Sequence, residues 1–418
     1  VRYQLHITYY EKAINYYFTF LINRVLLIMK KLLIVFLLCF TCIKAELAVA
    51  QQVPVIKISG KPFDRGYQHG QQLKPQIAEV YQKWKESLEK DSGKKADEII
   101  ADFLTSTRYK TYIEKWTPEI YEEIKGIAAG SDQSLDDVFA FQIIDEYWGY
   151  LDRLKNNTND QNKCTAVAVA KTKEQPTLVA QNVDIDNYMH GYQVLIHIQG
   201  GKNTPEQFIM TCAGYLGFAG MNKNISLVIN ALTDVSSSVY GLPVPFVTRG
   251  ILQQWNAADA VEFINTVQHA TGQSYLVGSP RKVYAFEASA NQVVEFNPHN
   301  RKLVYHTNHS LVNEDIKPWR VEIRKQMLSG QGRKSNSATR LQGVHNFLAK
   351  FENRLTKDNI KDILRSKEDP IFPICVPFRE GGSAFTFSSV VFTLGDRPSA
   401  EVTYGTPDQN EYQQHFFN

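Results

Sequence analysis

The 418-residue sequence predicts an α+β fold, with helices layered against largely antiparallel sheets. Two observations carry this expectation. Helical periodicity dominates from about residue 61 to 146; from Cys164 onward, short β-branched runs separated by turn residues take over, most of them beside a hairpin partner. Hydrophobic residues make up 43% and aromatic residues 12%, enough for one large core or two ordinary ones.

From Met29 the chain reads "MKKLLIVFLLCFTCIKAELAVAQQ": a basic start, an apolar run and a small-x-small site before Gln51. That three-part pattern predicts a signal peptide over residues 29–50, with residues 1–28 lying upstream of the natural start. A rival membrane anchor over Ile14 to Ile43 is interrupted by Arg24, Lys30 and Lys31. The expectation is an exported protein, periplasmic or extracellular, with no membrane span once the leader is removed.

Gln51 to Gly60 predicts a short strand, and "KPFDRGYQHGQQLKPQI" a turn running into a helix. Thr117-Pro118 opens another helix with Gly130 as its stop, and Ser134 caps "SLDDVFAFQIIDEYWGY" as a third. After the polar loop "RLKNNTNDQNK" the pattern changes to strands at "CTAVAVA", "TLVAQNVD", "YQVLIHIQG", "EQFIMTCAG" and "ISLVINAL". Strands recur at "SYLVGS", "VYAFEAS", "VVEFNP", "LVYHTNH", "FTFSSVVFTL" and "SAEVTYG". Helices are expected at Ala257 to His269, Ala338 to Glu352 and Asp358 to Ser366.

Charge excludes one class of partner. The net +3 comes from residues 1–50, where six basic side chains face two acidic ones; after residue 50, 40 basic side chains face 41 acidic ones, so nothing argues for nucleic acid or an anionic surface. There is no GxSxG elbow, HExxH helix, P-loop or GxGxxG, and no CxxC pair beyond the leader. In "HTNH", His306 and His309 fall on opposite faces of a strand-like segment, so no metal and no cofactor is expected.

Beyond the leader the cysteines are Cys164, Cys212 and Cys375. Cys212 with Cys375 could form one disulfide, or each could be a small buried hydrophobe; either way Cys164 stays a free thiol. If the bond Lys163-Cys164 is cut, the thiol and a new α-amine belong to one residue. An α-amine titrates near ~7.7 to 8.0, so it can take the thiol proton without a histidine. Cys164 would then attack an amide carbonyl, form a thioester and return the proton to the leaving amine.

The surrounding constellation moves the same way. "CTAVAVA", "LVAQNVDID", "GMNKNISLVINAL", "YHTNHSL" and "NSATR" follow one another in an order that resembles the penicillin acyltransferase-like family of N-terminal-nucleophile (Ntn) cysteine hydrolases. The resemblance runs from about Val53 to the C-terminus, with "GKPFDRGYQHGQQL" and "EIKGIAAG" similar to the family's pro-segment. It implies a four-layer αββα sandwich, with residues 51–163 becoming an α-subunit and 164–418 a β-subunit after autocleavage between Lys163 and Cys164. It implies that Cys164 is the nucleophile, that Asn308 donates to the oxyanion and that Asp184 organises the site. Asn182, Asn230 and Thr165 are the substrate-binding candidates, and Arg340 is assigned to a structural salt bridge. Departures are Lys163 where the family has Gly, Ala166 where it has Thr, and Val376 where it has Arg.

The activity implied is hydrolysis of a linear amide in a small acylated amine. Acyl transfer between amines stands as the alternative, as does a binding protein of the same fold that never matures.

Overall fold

The computed structural model describes residues 16–33, 52–155, 164–296, 299, 302–329, 335–351 and 355–417. Lys163, the polar loop before it and most of the leader lie outside them. Residues 16–33 form helix α1, a unit by itself; among the described residues no helix is long and apolar enough to cross a membrane. Residues 52–418 form the second unit.

That unit opens with strand β1 (Val55–Ile58) and seven helices: α2 (Pro62–Gln72), α3 (Lys74–Ser92), α4 (Ala96–Ser106), α5 (Tyr109–Trp116), α6 (Pro118–Ser131), α7 (Leu135–Gln142) and α8 (Ile144–Lys155). Strands follow as β2 (Thr165–Val169), β3 (Thr177–Asp186), β4 (Gln193–Ile198), β5 (Gln207–Cys212), β6 (Ala219–Asn222) and β7 (Ser226–Ala231). Helices α9 (Val244–Leu252) and α10 (Ala257–Thr266) lead to β8 (Gln273–Gly278), β9 (Val283–Ala288), β10 (Val293–Glu295) and β11 (Leu303–His306). The chain closes with α11 (Val321–Leu328), α12 (Asn336–Ala349), α13 (Lys357–Arg365), β12 (Ala384–Leu394), β13 (Ser399–Val402) and β14 (Gln413–Phe416).

Two sheets result, in the orders β1-β4-β5-β6-β7-β8-β9-β10 and β11-β2-β3-β12-β13-β14. Every pair is antiparallel except β1 with β4, where Val55 lies beside Leu195. β2 and β3 pack face to face on β7 and β8, while α2 and α9 cover the first sheet and α12 and α13 the second. This is the four-layer αββα arrangement. Strands buried on both faces read as nearly continuous apolar runs, and β2 and β4 are buried at every position.

The helical region is held by a seam of glycines. A Cβ on Gly66 would lie 1.8 Å from the carbonyl oxygen of Glu123, and one on Gly126 would lie 2.1 Å from that of Phe63. Helices α2 and α6 therefore touch backbone to backbone, a distance only glycine permits. Gly130 belongs to the same contact, 2.3 Å from the Tyr67 carbonyl. The expected stop at Gly130 is thus corrected: α6 runs on to Ser131 and ends at Asp132, which takes the left-handed conformation at φ 56°. Ser134 caps α7 as expected, through Asp137 N–H. The helix breaks at Ile143, so the expected third helix is two.

Candidate active site

Cys164 lies immediately before β2, in the second sheet, and its alternation with buried Ala166 and Ala168 turns its side chain toward the space between the sheets. Two strands fix it. Asp184 N–H in β3 donates to Sγ at 3.4 Å, and Sγ in turn donates to the Asp184 carbonyl at 3.5 Å. From helix α12, Arg340 Nη1 donates to the Cys164 carbonyl at 2.6 Å and to Thr165 Oγ1 at 2.8 Å. Its Nη2 donates to Asn308 Oδ1 at 2.8 Å. One guanidinium thus ties the nucleophile to the loop carrying Asn308.

That loop is itself anchored. Glu287 on β9 accepts from His306 Nε2 and from the backbone N–H groups of Leu311, Val312 and Asn313. Burial pushes the Glu287 carboxyl up, but these partners outweigh it and the net shift is downward. Ser337 at the start of α12 accepts from Asn308 N–H at 2.7 Å. The Asn308 side chain donates to the Ala231 carbonyl at 3.1 Å, at the end of β7.

A cavity of about 150 Å³ opens beside Cys164, bounded by α8, β3, the β7 end and the segment at Lys317. Asp184 lines it and is buried. Of the substrate-binding candidates, none lines it. Asn182 points to the opposite face of the second sheet, donating to the carbonyls of Leu364 and Ile374 under α13. Thr165 faces Arg340, and Asn230 is fully buried in β7 between the cavity-lining Ile229 and Ala231.

Burial is the largest influence on the Cys164 thiol and pushes it up to about 12, with Asp184 adding to the rise. In the uncut chain the thiol is therefore protonated at neutral pH. Three carboxyls nearby are raised by the same cause: Asp145 to about 6, Asp186 to about 7 and Glu146 to about 8. Asp145 and Asp186 line the cavity from α8 and β3, so weakly acidic groups face the thiol from two sides.

Sequence reading missed part of this. Arg340 makes no ion pair within 4 Å among the described residues; it binds neutral oxygens at the nucleophile, which corrects its assignment to a salt bridge. Gln181 lines the cavity and donates to the Ile229 carbonyl, joining the two sheets. Asp145, Lys317 and Arg320 also line it, with no local motif to announce them. Cys212 and Cys375 are separate buried thiols, so the open disulfide alternative is closed. His306 and His309 bind Glu287 and Ser337, and no metal-holding cluster occurs among the described residues.

The signature of the family described as acyl-coenzyme A:6-aminopenicillanic acid acyl-transferase matches residues 171–401. The chain is 24% identical over 360 residues to the acyl-coenzyme A:6-aminopenicillanic-acid-acyltransferase 40 kDa form of Emericella nidulans, covering 84% of this chain and 93% of that protein. Among solved structures, the Caenorhabditis elegans ortholog of N-acylethanolamine-hydrolyzing acid amidase aligns over 61% of this chain and all of that one. Its sequence identity is 15% and its TM-score 0.38.

Proposed function

The chain belongs to the acyl-coenzyme A:6-aminopenicillanic acid acyl-transferase family, and on that premise we propose that it is an exported, self-processing cysteine amidohydrolase acting on a small N-acyl amine. The observation that carries this reading is the placement of Cys164: first residue before a central strand, facing a cavity between the sheets, with its carbonyl and its sulfur both held.

Processing comes first. The Cys164 thiol attacks the Lys163 carbonyl carbon, the acyl group moves from nitrogen to sulfur, and water opens the thioester to leave a Lys163 carboxylate and a free Cys164 amine. The amine then supplies what the uncut chain lacks. Its ordinary pKa of ~8 leaves it neutral and adjacent to Sγ, so it accepts the thiol proton as the sulfur adds to the carbonyl. The thiolate adds to the substrate carbonyl, and the developing oxyanion is met by neutral amide donors; the Asn308 side chain is the candidate, released from the Ala231 carbonyl. Collapse breaks the C–N bond and the amine proton passes to the leaving nitrogen. Water attacks the thioester, and acid and thiol are regenerated.

Acyl transfer shares every step up to the thioester and differs only in the final nucleophile. The match over 93% of the Emericella acyltransferase favours it as the second reading. Export favours water, because coenzyme A thioesters are cytoplasmic metabolites. The test is to incubate purified protein with a panel of N-acyl amino acids, bile-acid conjugates and penicillins, with and without a free amine acceptor. Release of amine and free acid in equal amounts supports hydrolysis; an acylated acceptor supports transfer; neither product sinks both.

A further inference from the structure

Helix α8 turns one face to the cavity. Ile144, Asp145, Trp148, Gly149 and Asp152 all line it, and their spacing of three to four residues marks a single stripe along the helix. Gly149 stands in the interior of that helix, where glycine costs stability relative to alanine. In the α2–α6 seam backbone contact demands the residue, since a Cβ on Gly66 would meet the Glu123 carbonyl oxygen at 1.8 Å. Nothing comparable holds at Gly149. The backbone there is helical, with no positive φ, and the atoms nearest to an added Cβ belong to side chains: Thr271 Cγ2 at 3.1 Å, Ser237 Cβ and Oγ at 3.5 Å. Thr271 and Ser237 line the cavity too. Neither conformation nor backbone packing calls for glycine here; what its missing side chain provides is open space in the cavity wall.

We propose that Gly149 sets the length of acyl chain the cavity takes, by leaving the space between α8, Ser237 and Thr271 to the substrate. The inference rests on the amidohydrolase reading and adds to it a residue that determines specificity. Cys164 lines the same cavity, so an acyl group carried on its sulfur lies within these walls. The lining suits such a chain, with Ile144, Trp148, Met189, Phe218, Ile229 and Leu232 among its members. The gap is narrow enough for one methyl group to matter: a Cβ at 149 would sit 3.1 Å from Thr271 Cγ2, inside the ~3.5 to 4.0 Å of an ordinary carbon contact. Each methylene kept out of the cavity lowers affinity about fourfold. A side chain at 149 therefore acts on long chains and spares short ones, whereas a purely structural defect would weaken all chains alike.

The test is a calorimetric titration of full-length Cys164→Ala protein with N-butanoylglycine, N-octanoylglycine and N-decanoylglycine. Adding Gly149→Val should weaken binding of the octanoyl and decanoyl compounds roughly tenfold or more and leave the butanoyl compound unchanged, and Gly149→Ala should show the same pattern at about fourfold. Thr271→Ser keeps the hydroxyl that donates to Glu146 and removes only Cγ2. It widens the same gap and should tighten binding of the decanoyl compound about fourfold. Weakening that is equal for all three chains, or no response to either Gly149 substitution, overturns the proposal. Should Gly149→Val fail to fold, Gly149→Ala and Thr271→Ser are read in its place: opposite effects confined to the longer chains support the proposal, and effects independent of chain length overturn it. Amine release by the Cys164 protein is read separately, so the length determinant can fail while the amidohydrolase reading stands, and the reverse.

Discussion

Two buried glutamates join the helical region to the sheets, and they are held in opposite ways. Glu123 on α6, 1% exposed, receives Arg249 Nη1 and Nη2 at 2.7 and 3.0 Å and Arg65 Nε at 3.2 Å. Glu146 on α8, 0% exposed, receives only the Val244 N–H at 2.9 Å and the Thr271 hydroxyl at 3.0 Å. Both reach helix α9, one at its last turn and one at its first residue. Burial pushes both carboxyls up, but the arginines reverse the sign for Glu123, whereas Glu146 rises to about 8. The Glu123 seam is thus an ionic clamp. The joint beside the cavity holds a carboxyl near its neutral form.

Breaking the clamp should have the largest effect. Arg249→Met leaves Glu123 buried with Arg65 alone and is expected to cost about 3 to 5 kcal/mol, read as a fall in the denaturant midpoint at unchanged slope. An unchanged midpoint would remove the distinction between the two joints.

The pH dependence separates them next. Glu146 has its folded-state pKa raised, so its contribution is fully present below its unfolded value near 4.5 and is lost as pH rises toward 8. Between pH 5 and 8 this amounts to up to about 4 kcal/mol, at ~1.4 kcal/mol per unit. Glu146→Gln should flatten that slope in a series of melting temperatures. Glu123 has a lowered pKa, so its contribution is present above its unfolded value near 4.5 and is lost as pH falls; Glu123→Gln should lower stability at neutral pH, with the loss shrinking in acid. Parallel pH profiles for the two variants would contradict the assignment.

Smaller effects are expected at the nucleophile. Asn308→Ala removes a neutral donor and should lower kcat by ~10² to 10³. Arg340→Lys keeps the charge but not the fork that spans the Cys164 carbonyl, Thr165 and Asn308, and should lower kcat by about tenfold with little change in KM. A rise in KM alone would place Arg340 in binding instead.

How much of this was legible in the sequence varied with the kind of residue. Short β-branched runs bounded by turn residues placed β2, β3 and β12, and Cys164 stood out because a thiol opened a strand after a polar loop. Helix α9 escaped because all nine residues are buried, so no apolar stripe marks it. Strand β6 is four residues containing Gly220, too short to show a period. Arg340 was assigned to a structural salt bridge because its partners, neutral oxygens distant in sequence, leave no local signal. Lys317, Arg320 and Asp145 come together only through tertiary folding. Asn182 was a substrate-binding candidate from the family resemblance, but its neighbours Gln181 and Val183 line the cavity while the Asn182 amide secures the outer helix layer.

The central claim is that Cys164 becomes a chain N-terminus. Denaturing electrophoresis of the purified protein, followed by Edman sequencing of the larger piece, tests it most directly. The account predicts two fragments, the larger beginning Cys-Thr-Ala-Val, and a single uncut chain for Cys164→Ala. A wild-type protein that stays intact yet releases amine, or fragments that persist in Cys164→Ala, would contradict it.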